Sequence, residues 1–222
     1  MSPEGDATKM KSGGKIGILA DSHGDNALLG AAIDSLRALR AEILIHLGDI
    51  CDVQAPDLLD EAVEILTANN VKAVLGNNET SIITDVLDNG SVSLREVTVS
   101  YVKGLPYIYQ MGDICFAHST PFPWPAATRR PIEDYYPHLI GSELPFRILF
   151  RGHSHSPSII EVESENICEV PVNGGETYTL LESRIYVITV GAVERGLFSL
   201  YDPHRNEVSF LSLSSRIGSG SR

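Results

Sequence analysis

Short apolar runs and longer amphipathic stretches alternate through the first third of the chain. Residues 15–20 (KIGILA) have the length of a buried strand and end at a polar cluster. From 26 to 40 the apolar residues Leu28, Leu29, Ala32, Ile33, Leu36 and Leu39 return at three- and four-residue steps, the period of a helix with one buried face. Asp25 or Asn26 stands where the N-cap belongs. The pattern then repeats, with a strand over 42–47, a helix over 56–69 opened by Pro56, and a strand over 72–75. A βαβαβ succession of this kind builds a parallel sheet.

Beyond about residue 90 the texture becomes β-branched and aromatic, punctuated by Gly, Pro, Asn and Asp. It predicts a hairpin over 107–117 turned at Gly112-Asp113, then strands over 148–151, 158–162, 177–181, 184–190, 197–201 and 207–213. The expected architecture is α/β, with two sheets packed face to face and helices outside. Residues 1–14 and 214–222, rich in Gly and Ser, are expected to be flexible tails around a single domain over 15–213. One irregular stretch, 119–145, holds six of the twelve prolines together with Trp124, Tyr135 and Tyr136.

Composition narrows the reading. With 222 residues, 43% hydrophobic and 21% charged, the chain can bury a sizeable core and is neither disordered nor fibrous in bulk. Seventeen basic against 29 acidic residues leave a net charge of −12, which disfavours nucleic-acid polymers and anionic membranes as partners. Three cysteines, Cys51, Cys115 and Cys168, without a CxxC pair suit a reducing, cytoplasmic setting. No stretch has the roughly 18 apolar residues of a membrane span, and residues 1–15 lack the apolar middle of a signal peptide. An isologous homodimer is the default expectation for assembly.

The candidate chemistry sits just past the ends of predicted strands, where open α/β sheets place their ligand sites. Asp21-Ser22-His23 follows the first strand, Gly48-Asp49 the second, Gly76-Asn77-Asn78-Glu79 the third, His118 the hairpin, and Gly152-His153-Ser154-His155 the strand 148–151. Each motif alone is ordinary: a turn, a helix cap, a satisfied histidine. Their combination is not, because four of the seven histidines fall at these positions. Two carboxylates, an Asn carbonyl and four imidazoles are a mixed N/O donor set for Mn, Fe, Zn, Co or Ni. Seven donors exceed one tetrahedral site and suit two ions sharing a carboxylate, with positions open for water and substrate.

The order DxH, GD, GN[H/N/C][D/E], H, GHxH, running from Asp21 to His155, resembles the calcineurin-like metallophosphoesterases, most of all their small single-domain prokaryotic phosphodiesterases. The resemblance implies a four-layer αββα sandwich of two mixed β-sheets. It also implies hydrolysis of a phosphate monoester or diester, the substrate being a phosphorylated small molecule or a phosphoprotein. Position by position, one divalent ion (Mn, Fe, Zn or Ni) is held by Asp21, His23, Asp49 and His155, and the other by Asp49, Asn77, His118 and His153. Asp49 then bridges, and a hydroxide shared by the ions is the nucleophile.

Two positions depart from the family pattern. Many relatives carry His where this chain has Asn78, which therefore contributes no acidic proton; Asn78 is left to hold the phosphate, and His23 or water to serve as acid. Near Gly191-Ala192-Val193 many relatives carry an Asn-containing turn that borders the site. Smaller roles fall to Asp52, orienting a ligand, to Glu79, positioning its loop, and to His46 and Cys51 as structural groups. Within 121–145, Trp124 offers flat apolar surface to a base or aromatic leaving group, and Arg129, beside Arg130, offers charge to a second phosphate. The alternative to an enzyme is a non-catalytic, metal-binding interaction scaffold of the same fold.

Overall fold

Strand β1 (Lys15–Leu19) shows how one short run serves two cores. Ile16, Ile18 and, just beyond, Ala20 face a layer between two sheets, whereas Gly17 and Leu19 face a helical layer. A strand buried on both faces carries no polar alternation, which is why 15–20 reads as continuously apolar. A computed structural model describes residues 14–87, 93–120, 144–164, 166–172 and 174–213. The expected tails, apart from Gly14, and the stretch 121–143 with Trp124, Arg129, Arg130, Tyr135 and Tyr136 lie outside the described residues.

After β1 come α1 (Asn26–Ala38), β2 (Ala41–His46), α2 (Leu59–Ala68) and β3 (Val71–Ala73), the βαβαβ unit that the periodicity predicts. Asp25 caps α1, its carboxylate accepting the Leu28 amide at 2.9 Å, and Leu29, Ala32, Ile33 and Leu36 are its buried stripe. A 3₁₀ turn, Pro56–Leu58, leads into α2. Strands β1, β2 and β3 run parallel, and β11 (Leu197–Asp202), β12 (Glu207–Ser212) and β9 (Thr177–Thr179) extend the sheet antiparallel, in the order β3-β2-β1-β11-β12-β9.

The second sheet has the order β4-β5-β6-β10-β7-β8, from β4 (Ile108–Met111), β5 (Ile114–Ala117), β6 (Ile148–Arg151), β7 (Ser158–Glu163), β8 (Asn166–Pro171) and β10 (Ile185–Thr189). The predicted hairpin is β4 and β5. Gly112 takes φ +61° at the first loop position, where only glycine is unstrained. Phe116, Phe150, Tyr186, Ile188, Tyr201 and Phe210 fill the layer between the sheets, while α1 and α2 cover the other face of the first. The fold is α/β with two mixed six-stranded sheets, as expected from the sequence.

The stretch after residue 90 is not all β. Residues 96–103 form helix α4 (Glu96–Lys103), packed on α2, although the sequence there is Val- and Thr-rich. Thr98 and Val102, four apart, point inward while Val97 is exposed, so burial at helical spacing overrides the β-branched composition. A short helix α3 (Asn77–Ser81) and a π-helical turn, Ile82–Leu87, precede it. Among the described residues no helix is long and apolar enough to cross a membrane. Cys51 and Cys115 are buried, Cys168 is exposed, and all three are free.

Candidate metal centre

Five strands that run parallel within their sheets, β1, β2, β3, β5 and β6, deliver the candidate residues from their carboxyl ends. The loops after them are stitched together. The amides of Asp21, His23 and Gly24 donate to the carbonyls of Gly48, Asp49 and Ile50, and the His153 amide donates across the sheet interface to Asp21 Oδ2 at 2.9 Å. Glycine is required where loops touch. A Cβ on Gly48, at φ +89°, would lie 2.6 Å from the Gly76 nitrogen, and one on Gly76 would lie 2.2 Å from the Asp49 nitrogen.

Among the described residues, five of the nine non-glycine residues with positive φ belong to this cluster: Asp21 (53°), His23 (47°), Asp49 (54°), His153 (69°) and His155 (59°). Left-handed backbone costs such residues on the order of 1–3 kcal/mol each and persists where the surroundings over-determine it, characteristically at functional sites. Asp and His bear it better than most residues, which helps explain the residue types found there.

The side chains gather into two groups, each with donor atoms within 4.8 Å of one another: Asp21, His23 and His155, and Asp49, His118 and His153. Asn77 joins the second through Oδ1, 3.0 Å from His118 Nε2, while its Nδ2 donates to Asn78 Oδ1. Asn78 itself packs beside the centre, its Nδ2 donating to Asp52 Oδ1 at 3.3 Å and lying 3.0 Å from His23 Nδ1. All seven sequence-predicted ligands are thus brought into these two neighbouring clusters.

Outer partners assign the tautomers. His155 Nδ1 donates to Glu194 Oε1 at 2.7 Å and His118 Nδ1 to the Leu47 carbonyl at 2.9 Å, while His23 Nδ1 stands between Asp52 Oδ1 at 3.2 Å and Asn78 Nδ2 at 3.0 Å. The opposite nitrogens of His155 and His118 then present lone pairs inward. His23 Nε2 meets His155 Nε2 at 3.2 Å, and His118 Nε2 faces His153 Nδ1 at 3.1 Å and Asp49 Oδ2 at 3.4 Å. Lone pairs aimed at one another repel unless a proton or a cation lies between them. Two donors each about 2.1 Å from a common ion stand about 3.0–3.4 Å apart, so the spacing fits metal ligation.

Charge points the same way. Asp21 and Asp49 are almost wholly buried, and among the described residues their ion-pair partners are histidines alone. Buried carboxylates without cations are costly. Burial raises the Asp21 pKa. Burial pushes Asp49 the same way, but the hydrogen bond and charge of His118 overcome it and bring Asp49 down to about 2. Burial likewise opposes the charged form of His118, and Asp49 outweighs it, lifting that imidazole to about 9. In the absence of metal, His118 therefore carries the proton that a cation would displace.

Glu79 and His46 hold the loops from beneath. The Glu79 carboxylate accepts the amides of Asp49 (2.8 Å), Ile50 (2.7 Å), Cys51 (3.4 Å) and Gly76 (3.0 Å). His46 accepts the Gly48 amide at Nδ1, and its Nε2 donates to Ser22 Oγ, which donates to the Ile50 carbonyl. Sequence reasoning missed Glu194, which orients His155. It lies on a 3₁₀ turn, Val193–Arg195, tied to β1 by the Val193 and Glu194 amides on the Ala20 and Asp21 carbonyls. The departure noted at Gly191-Ala192-Val193 marks this place, but a lone Glu beyond it carries no motif.

The family model of the calcineurin-like phosphoesterase superfamily domain matches residues 15–195, from β1 to the turn that bears Glu194. The chain belongs to the calcineurin-like phosphoesterase superfamily. Its fold is similar to that of a metallophosphoesterase from Sphaerobacter thermophilus, with a TM-score of 0.69 at 23% identity, covering 90% of this chain and 87% of that one. A novel archaeal phosphodiesterase gives 0.51 at 16% identity, covering 90% and 99%. The protein TT1561 of Thermus thermophilus gives 0.52 at 12%, covering 91% and 99%. No curated protein matches the chain. In this phosphoesterase, then, the two donor clusters stand at the strand ends where the sheets meet.

Proposed function

We propose that this calcineurin-like phosphoesterase is a dinuclear metal-dependent hydrolase of a phosphate monoester or diester, folded as one domain over 15–213. The observation that carries the reading is the convergence of imidazoles and carboxylates in two adjacent clusters, with the outer nitrogens of His118 and His155 already committed. Asp21, His23 and His155 would hold one divalent ion, Mn, Fe, Zn or Ni, and Asn77, His118 and His153 the other, with Asp49 shared between them. When bound, such a pair supplies a water that ionises near neutral pH and positive charge facing the phosphoryl oxygens. It also reverses the local field, so a chain of net charge −12 accepts an anionic ester.

The chain's own groups then fix orientation. Glu194 and the Leu47 carbonyl retain the outer protons of His155 and His118, which leaves their inner nitrogens free to ligate, and Asp52 lies 3.2 Å from His23 Nδ1 and orients that ring. Asn78, paired with Asp52 and Asn77, positions His23 and has no proton to give a departing alcohol. Esters with good leaving groups are favoured accordingly. A reducing cytoplasm suits the three free thiols.

The test is elemental analysis of the purified protein, combined with hydrolysis of bis(p-nitrophenyl) phosphate and p-nitrophenyl phosphate in Mn²⁺. Two ions per chain with turnover of either ester is the expected result. Two ions and no turnover would leave the interaction scaffold standing, and no metal under any loading would overturn the reading.

A further inference from the structure

The strand that leads into Gly152-His153 ends on a buried cation. β6 reads Ile-Leu-Phe-Arg, and Arg151 at its carboxyl end is 2% exposed. Leu149, two residues earlier and so on the same face, packs with Cys115, Ala117 and Val187, which makes that face apolar. An aliphatic side chain would continue the pattern without a desolvation cost, whereas a guanidinium taken out of water needs acceptors placed for it.

Acceptors for it lie on the loops of the candidate centre. Arg151 Nε donates to the Ser119 carbonyl at 2.8 Å, and Nη1 donates to Ser154 Oγ at 3.0 Å and reaches Thr189 Oγ1 on β10 at 3.5 Å. Ser119 follows His118, and Ser154 stands between His153 and His155. One rigid fork therefore spans the two loops that bring His118 Nε2 within 3.1 Å of His153 Nδ1. It also pins a strained turn, because His153 and His155 on either side of Ser154 are both left-handed.

The two clusters depend on this fork unequally. In the first, His155 is oriented by Glu194, and Asp21 and His23 come from the loop after β1. In the second, His118 and His153 are the pair whose loops the guanidinium joins. We propose that Arg151 is a positioning residue for the second cluster: by holding Ser119 and Ser154 at once it sets His118 against His153, and so governs the affinity of the ion they would share with Asp49 and Asn77. The inference rests on the dinuclear reading of the two clusters and is independent of turnover.

The experiment measures Mn²⁺ affinity by calorimetry in the wild type, Arg151→Lys, Ser154→Ala and the double variant. Anomalous diffraction from crystals at graded Mn²⁺ assigns each loss to one cluster. Lysine keeps the charge but has no planar fork to span both loops. Arg151→Lys is expected to weaken the second ion at least about ten-fold and the first by less than about three-fold, and Ser154→Ala to weaken the second ion by about three-fold. Ser154→Ala should add nothing in the Arg151→Lys background, since the two act through one bond. Ser154 is exposed, so its single variant decides by the same selectivity should Arg151→Lys misfold. Equal losses at both ions, no loss at the second, or a Ser154→Ala effect of full size in the double variant overturns the role of Arg151 while the dinuclear reading stands. A wild type that binds fewer than two ions overturns both.

Discussion

Asp49 and Glu79 clasp each other's loops in both directions. The Asp49 amide donates to Glu79 Oε2 at 2.8 Å, and the Asp49 carboxylate accepts the amide of Asn78, the residue before Glu79, at 2.9 Å. Glu79 is fully buried, and its carboxylate accepts four amides from the two loops. An amide side chain replaces one acceptor oxygen with a donor facing N–H groups. Glu79→Gln is therefore expected to lose about 2–4 kcal/mol of stability and to weaken metal binding with it. Urea midpoints with and without Mn²⁺ check this; an unchanged midpoint would mean that the loops hold without the clasp.

The parts of this arrangement legible in the sequence are those that local pattern encodes. Strand β1 and helix α1 follow from apolar spacing, and the ligands from motifs at strand ends whose carbonyls and amides are used up nearby. Helix α4 was not legible, because its burial rests on Thr98 and Val102 meeting α2, a tertiary contact that Val97 and Val99 disguise as strand. Among the described residues strand β8 pairs only with β7, and it is half exposed, so its residues carry little apolar signal. Glu194 acts 39 residues beyond His155 by way of sheet packing, and no spacing rule connects the two.

Glu194 supplies the charge that fixes the His155 tautomer, at 2.7 Å from Nδ1. Removing an outer partner of this kind costs on the order of 10–100-fold in metal affinity. Glu194→Gln keeps a hydrogen-bond acceptor but drops the charge, and is expected at the lower end of that range, with Glu194→Ala at the upper. Chelator competition followed by elemental analysis reads the loss. Equal affinity in all three proteins would remove Glu194 from the centre.

Asp49 is the carboxylate proposed to serve both ions. Asp49→Asn keeps the Asn78 amide bond and removes the charge facing His118. The expected outcome is a fall in kcat of at least about 10³-fold, fewer than two ions per chain, and an unchanged far-ultraviolet circular dichroism spectrum. Retained turnover with two ions bound would count against the shared role.

His46 ties acid stability to the loop network. Burial, with the charge of His118 second, lowers its pKa to about 3, against about 6.5 in an unfolded chain. Between those values the unfolded state binds the extra proton and the folded state does not, so stability rises with pH. Its contribution is complete above pH 6.5 and is lost as the pH falls from 6.5 toward 3, with a limiting slope of about 1.4 kcal/mol per pH unit. His46→Gln still offers a donor to Ser22 but leaves the Gly48 amide without its acceptor, so it starts about 1–2 kcal/mol less stable at pH 8. Having no proton to take up, it should lose stability more slowly on acidification, and the two proteins should converge between pH 6 and pH 4. Urea midpoints measured across that range in a chelator, which keeps metal release out of the comparison, give the slopes. Parallel slopes would show that His46 stays out of acid unfolding and that the Ser22 network is not what acid breaks.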